Sequence, residues 1–144
     1  MYIFTPNTLI KSAEINANFT ELQTKTDYLS APDSEWHIVG AAGEPAFLNS
    51  WVNHTVGTYP QCAFRKDALG YVHLQGLIKN GVVGDGTPPF QLPAGYRPLY
   101  SLHLDIVSNG AMGNIRISND GYVRIQVGNN SWVSLDAKQF KAEQ

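Results

Sequence analysis

A lone cysteine, Cys62, stands in 144 residues, so no disulfide can close within the chain. In the stretch QCAFRKD it reads as a small buried hydrophobe. Charge is scarce too: Asp, Glu, Lys and Arg make up 15% of the residues, with a net charge of −2. An average soluble protein carries roughly a quarter of such residues. Without a basic surplus nothing pulls the chain towards nucleic acid or an anionic membrane. Long apolar runs are missing, and none approaches the roughly 20 residues that span a bilayer. The N-terminal MYIFTPNTLIK lacks the basic start and apolar stretch of a signal peptide. These absences predict a soluble chain made in a cytoplasm, with no nucleic-acid partner and no membrane insertion.

Catalytic and metal-binding patterns are equally thin. His37, His54, His73 and His103 are scattered, with no pair at metal-ligand spacing. His73 and His103 fall on outward strand faces, where a three-fold assembly would repeat either around an axis, but the sequence alone assigns no metal. GDG at 84–86 and NDG at 119–121 are too short for phosphate or calcium loops and read as turns. No serine occupies a nucleophile elbow, and Cys62 has no histidine near it in sequence. The expectation is a protein that is not an enzyme and needs no cofactor or metal.

What is present divides into three parts. Residues 1–11 form an apolar arm in which Tyr2, Ile3 and Phe4 precede the turn-prone TPNT. Residues 12–31 read as helix, with Ser12 as N-cap and Glu14 in the first turn, where the helix dipole favours a carboxylate. Ile15, Phe19, Leu22, Thr26 and Leu29 repeat at the 4-3 spacing of a coiled-coil seam. Pro32 ends the segment, since the residue before a proline avoids the helical region. Asn16, Asn18, Thr20, Thr24 and Thr26 all have low helix propensity, so this helix depends on burying its stripe. Two partners are open to it: its own β domain, or identical copies of itself. The short APDSEW stretch, which reads as a linker, favours copies.

Residues 36–144 read as strand and turn. YVHLQGLI, LYSLHLDIV, NIRIS and YVRIQV alternate apolar and polar residues, and WVSLDAKQF closes the set. In this pattern Val72 and Leu74 share one face, as do Leu102, Leu104 and Ile106. Ile115, Ile117, Val123, Ile125 and Val127 share another. KDALG, NGVVGDG, SNGAMG, NDG and GNNS supply the turns. The fold class is therefore mainly β, an antiparallel, jelly-roll-like β-sandwich head with one N-terminal coiled-coil-like helix. In FQLPAGYRPLY two prolines bracket a tight turn and keep the segment off a central ladder; Tyr96 and Arg97 are expected to anchor it. Trp51, within AFLNSWV, reads as core. Tyr59 and Trp132 lie next to turns and are candidates for an exposed, sugar-stacking rim. Asn129 and Asn130 of the neighbouring turn would supply polar contacts to the same receptor.

TLIKSAEINANFTEL is similar to a segment that recurs in bacteriophage tail-fibre proteins. RKDALGYVHLQGLIKNG followed by TPPFQLPAGYRP resembles the β-rich tip domains of phage receptor-binding and fibre proteins. The resemblance covers residues 8–29 and about 36–140, and its motifs are structural. It implies a homotrimer with a short coiled stem, packed through Ile15, Phe19, Leu22 and Leu29, and a β-sandwich head that contacts a host surface glycan or protein. It also implies attachment of the arm (Tyr2, Ile3, Phe4) to a larger phage structural protein of tail, baseplate or capsid. The chain has almost no shaft, which favours a short tail fibre or tail knob in the virion. A head fibre or capsid decoration protein is the alternative, and a free carbohydrate-binding module is a third reading.

Overall fold

Helix α1 spans Ser12–Leu29, and its first intrahelical bonds run from the Glu14 and Ile15 amides to the Lys11 carbonyl. Lys11 is thus the capping position and Ser12 the first helical residue, so the helix begins one residue earlier than the sequence suggests. The computed structural model of the chain describes residues 11–29 and 35–143, without the side chains of Tyr28 and Leu29. The arm residues Tyr2, Ile3 and Phe4, the proline-containing end of the helical segment and the Leu29 side chain therefore lie outside the described residues. The chain divides into two compact units, with the boundary between Pro32 and Asp33.

The threonines among the poor helix formers of α1 turn their hydroxyls back on the helix backbone. Thr20, Thr24 and Thr26 each donate to the carbonyl four residues back, on Asn16, Thr20 and Leu22, at 2.9 Å. Gln23 donates to Asp27 and Lys25 pairs with Glu21 across one turn. The apolar stripe stays uncovered: Ile15, Phe19 and Leu22 are 37%, 67% and 48% exposed.

Among the described residues the second unit is built from eleven strands, all joined by antiparallel pairing. They are β1 (His37–Ile38), β2 (Val52–Asn53), β3 (Ala63–Lys66), β4 (Tyr71–Gln75), β5 (Leu77–Lys79), β6 (Phe90–Gln91), β7 (Leu102–Ser108), β8 (Ala111–Ile117), β9 (Tyr122–Val127), β10 (Val133–Ser134) and β11 (Lys138–Lys141). One sheet has the order β1-β3-β4-β11 and the other β2-β5-β10-β7-β8-β9-β6. The protein is thus mainly β, with antiparallel sheets and one helix.

Alternation explains which faces turn inward. Val72 and Leu74 of β4 are buried while Tyr71 is exposed, and Ile115 and Ile117 of β8 meet Val123 and Ile125 of β9 in the core. Phe64 and Phe140 from the smaller sheet and Ile78, Phe90, Ile106 and Val133 from the larger one join the same cluster. Burying each such side chain contributes about 1.5–3 kcal/mol relative to leaving it exposed. Trp51 lies 1% exposed against Gly81, where even a methyl group would strike the indole. Val127 departs from the sequence pattern and is 53% exposed. A register shift between Asn114 and Ile115 places Ile125 opposite Ile115 but Val127 opposite Asn114. The one extra residue on β9 reverses the facing beyond it.

Two sequence segments that read as single strands are each cut in two and shared between the sheets. YVHLQGLI becomes β4 in the smaller sheet and β5 in the larger; WVSLDAKQF becomes β10 in the larger and β11 in the smaller. Since β4 pairs with β11 and β5 with β10, the two segments form one ribbon that bends from sheet to sheet. Gly76 sits at the bend with φ +115°, and a Cβ there would lie 2.4 Å from the Cys62 Cα. Its amide donates to Asp136 Oδ1 at 2.8 Å, and its carbonyl accepts from the Leu135 amide at 2.9 Å. Burial, together with the Asp136 charge, pushes the Cys62 thiol far up, so it is an inert part of the core.

Turn chemistry follows the sequence closely. Asn109 and Gly110, both at positive φ, close the β7–β8 hairpin. Asp67 accepts from the Leu69 and Tyr71 amides through Oδ1 and meets His73 Nε2 at 2.7 Å through Oδ2. Burial raises the Asp67 carboxyl, but hydrogen bonds from His73, Tyr71 and Leu69 outweigh it and hold the group below its ordinary value. Asp120 is held low in the same way, with burial outweighed by the bonds from Arg124 and the Tyr122 amide. The PAGYRP segment is anchored as expected: Arg97 Nε donates to the Leu92 carbonyl at 2.9 Å, and Tyr96 Oη meets His37 Nε2 at 3.0 Å.

Gly76→Ala should destabilise the β unit by about 3 kcal/mol or more, through steric overlap and a forbidden φ, read as a lower urea midpoint. Carboxyls held low in the folded state stabilise it above the ordinary aspartate value of 3.8, and that contribution disappears as pH falls below it. Asp67→Asn should therefore lower the thermal midpoint at neutral pH and flatten its decline between about pH 5 and pH 2.

Candidate functional site

Tyr59 and Trp132, far apart in sequence, line one groove of about 510 Å³ together with His54, Leu77, Val107, Ser134 and Asp136. The floor is a row of side chains across paired strands: Leu77 of β5 lies opposite Ser134 of β10, and Ser134 lies opposite Val107 of β7. Their neighbours Ile78, Val133 and Ile106 are in the core. The row is thus the outer face of the larger sheet, beside the bend of the two-sheet ribbon.

The rims are loops held by backbone bonds. On one side, residues 54–60 are pinned at both ends to Leu77: the His54 amide donates to its carbonyl at 2.8 Å, and its amide donates to the Pro60 carbonyl at 3.3 Å. This places the half-exposed Tyr59 ring edge-to-face against His54, with ring centroids 5.2 Å apart. The Thr55 amide donates to His54 Nδ1 at 2.8 Å, which assigns the proton of the neutral ring to Nε2.

On the other side, buried Ser108 organises the turn that carries Trp132. Its hydroxyl accepts from the Asn129 amide at 2.6 Å and shares its proton between the Asn129 and Trp132 carbonyls, at 3.0 and 3.1 Å. The Asn109 amide also donates to the Trp132 carbonyl. At the base, Ser134 Oγ donates to Asp136 Oδ2 at 3.2 Å. Asp136 therefore fixes the bend through one oxygen and borders the groove with the other.

Asn129 and Asn130 are exposed in that turn but are not among the residues lining the groove. Asn129 Oδ1 accepts from the Ser131 amide, and Asn130 Nδ2 donates to the Gly81 carbonyl. Their bonds shape the loop beneath Trp132. Ile15, Phe19 and Leu22 belong to the helical unit. His54, Leu77, Val107, Ser134 and Asp136 were not singled out from sequence. Outward-facing Val107 next to inward-facing Ile106 was the legible signal, whereas the pairing of β5 with β10 and β7 is a long-range property.

Other polar clusters are structural. His37 bridges Glu44 at 2.9 Å and Tyr96 while stacking on Phe64. Arg116 meets Asp85 at 2.5 Å, and Arg124 meets Asp120 at 3.2 Å. Among the described residues no group of three or more His, Cys, Asp or Glu side chains is placed to hold a metal ion. No described helix is long and apolar enough to cross a membrane.

A scan against protein-family models and a search of curated proteins return no match. Among solved structures the chain is similar to the receptor binding protein (gp15) of Listeria phage PSA. The TM-score is 0.56 at 17% sequence identity, over 94% of this chain and 80% of that one. At that identity the likeness is one of fold: a β-rich architecture shared with a phage receptor-binding protein.

Proposed function

We propose that the chain is a bacteriophage virion component, a short tail fibre or tail knob that binds the host cell surface during adsorption. The observation that carries this reading is the convergence of Tyr59 and Trp132 on one open groove, in a fold shared with a phage receptor-binding protein. Two aromatic rings held at a rim by loop backbone, over a floor with few charges, suit recognition rather than chemistry. Residues 36–144 form the head in this reading, residues 12–31 the stem and residues 1–11 the attachment arm.

The stem is proposed to trimerise. Phe19, Leu22 and Ile15 stand exposed at 4-3 spacing on a helix of 18 residues, a length that is marginal in water without a packed stripe. Leu29 would continue the seam. Three copies present three grooves, so weak single-site binding becomes strong adsorption. Tyr2, Ile3 and Phe4 are proposed to dock the arm on a larger tail, baseplate or capsid protein.

Replacing Phe19 and Leu22 together with Asp should turn trimers into monomers in sedimentation equilibrium. A variant that remains trimeric would assign the oligomer to the head. Tyr59→Ala combined with Trp132→Ala should abolish adsorption of the labelled protein to susceptible cells, with its sedimentation unchanged. Undiminished adsorption would remove the groove from the receptor site.

A further inference from the structure

The groove's ligand class can be read from its inventory of charges, donors and acceptors. No Lys or Arg lines it, and its one formal charge is the Asp136 carboxylate. That carboxylate is fixed by the Gly76 amide and the Ser134 hydroxyl, so it cannot swing away from an incoming group. An anionic polymer carrying phosphate or carboxylate needs cations or a cluster of free amides, and here it would meet a negative charge instead.

Trp132 Nε1, Tyr59 Oη and His54 Nε2 have no hydrogen-bond partner among the described residues, while Asp136 and Ser134 keep spare acceptor capacity. Flat apolar faces therefore stand beside mixed donors and acceptors. The sheet backbone under the floor is already used, since β5, β10 and β7 pair with one another. A peptide strand thus cannot add to the sheet at the floor residues Leu77, Ser134 and Val107.

Resting on the receptor-binding reading, we infer that this groove takes an uncharged saccharide. The less polar face of a pyranose ring stacks on Trp132 or Tyr59, and its hydroxyls bond to His54 Nε2 and to Asp136. The volume lies within the roughly 300–1,000 Å³ of small-molecule sites, which admits a short oligosaccharide.

The test is an array of bacterial glycans bearing uncharged, carboxylate-containing and phosphate-containing members, probed with the full chain and followed by titration of the positive glycans. Hits confined to uncharged glycans are expected. Trp132→Ala should weaken them about tenfold or more. Val107→Lys alters an outward side chain 45% exposed on the floor and should abolish them, with thermal stability reporting that both variants fold. Hits mainly on acidic or phosphate-bearing glycans would overturn the inference and leave surface binding intact. An empty array, with cell adsorption still lost in the Tyr59 and Trp132 variants, would assign the groove to a protein receptor and also overturn it. An empty array with no adsorption to any of a panel of bacteria would remove the receptor reading itself.

Discussion

The close approach of Gly76 to Cys62 governs the β unit. Backbone meets backbone there at a distance that leaves no room for a Cβ, and this contact lets one ribbon leave the smaller sheet and enter the larger. Were the bend relaxed, β4 and β11 would lose their continuity with β5 and β10, and the two inner faces would not close on a common core. Asp136 completes the bend from the opposite segment. The same residue borders the groove, so the groove and the sheet junction share Asp136.

Hydrogen bonds hold the groove from below and from both rims. Its floor is three paired strands, and one rim is clamped to Leu77 by two backbone bonds. The other is tied to Ser108, a hydroxyl only 2% exposed. Side chains held in this way lose little freedom when a ligand arrives, which favours binding by a preformed surface. Surface loops usually carry function on a fixed scaffold, and here the scaffold reaches directly into the loops.

Much of this was legible in the residues, and the gaps have physical causes. Period-two alternation located β4, β5 and β7 to β11 and most of their inward faces, but not β1, β2, β3 or β6, and Asn109-Gly110 and Asp67 marked their turns through short-range chemistry. Val127 was misplaced because a single extra residue in a ladder reverses facing without any local signal. YVHLQGLI looked continuous because its alternation keeps step across the bend, whereas in WVSLDAKQF the inward parity changes between Leu135 and Phe140. Only the glycine inside the first hinted that backbone passes close by. Tyr59 and Trp132 could be named as rim aromatics from their turns, but their shared groove depends on pairings between distant strands. Asn129 and Asn130 also hold structure: Asn129 caps its own turn, and Asn130 ties that turn to the Gly81 carbonyl, a contact between distant segments.

The margins of both sheets have a consequence for life at high density. The larger sheet ends in β2 and β6 and the smaller begins with β1, each two residues long; the remaining edge, β11, is bounded by Lys138 and Lys141. Brief or positively charged borders offer little template for another strand. These terminal strands therefore disfavour edge-to-edge zipping of copies into fibrils. Association is left to side-chain surfaces, where it can be specific and finite in number.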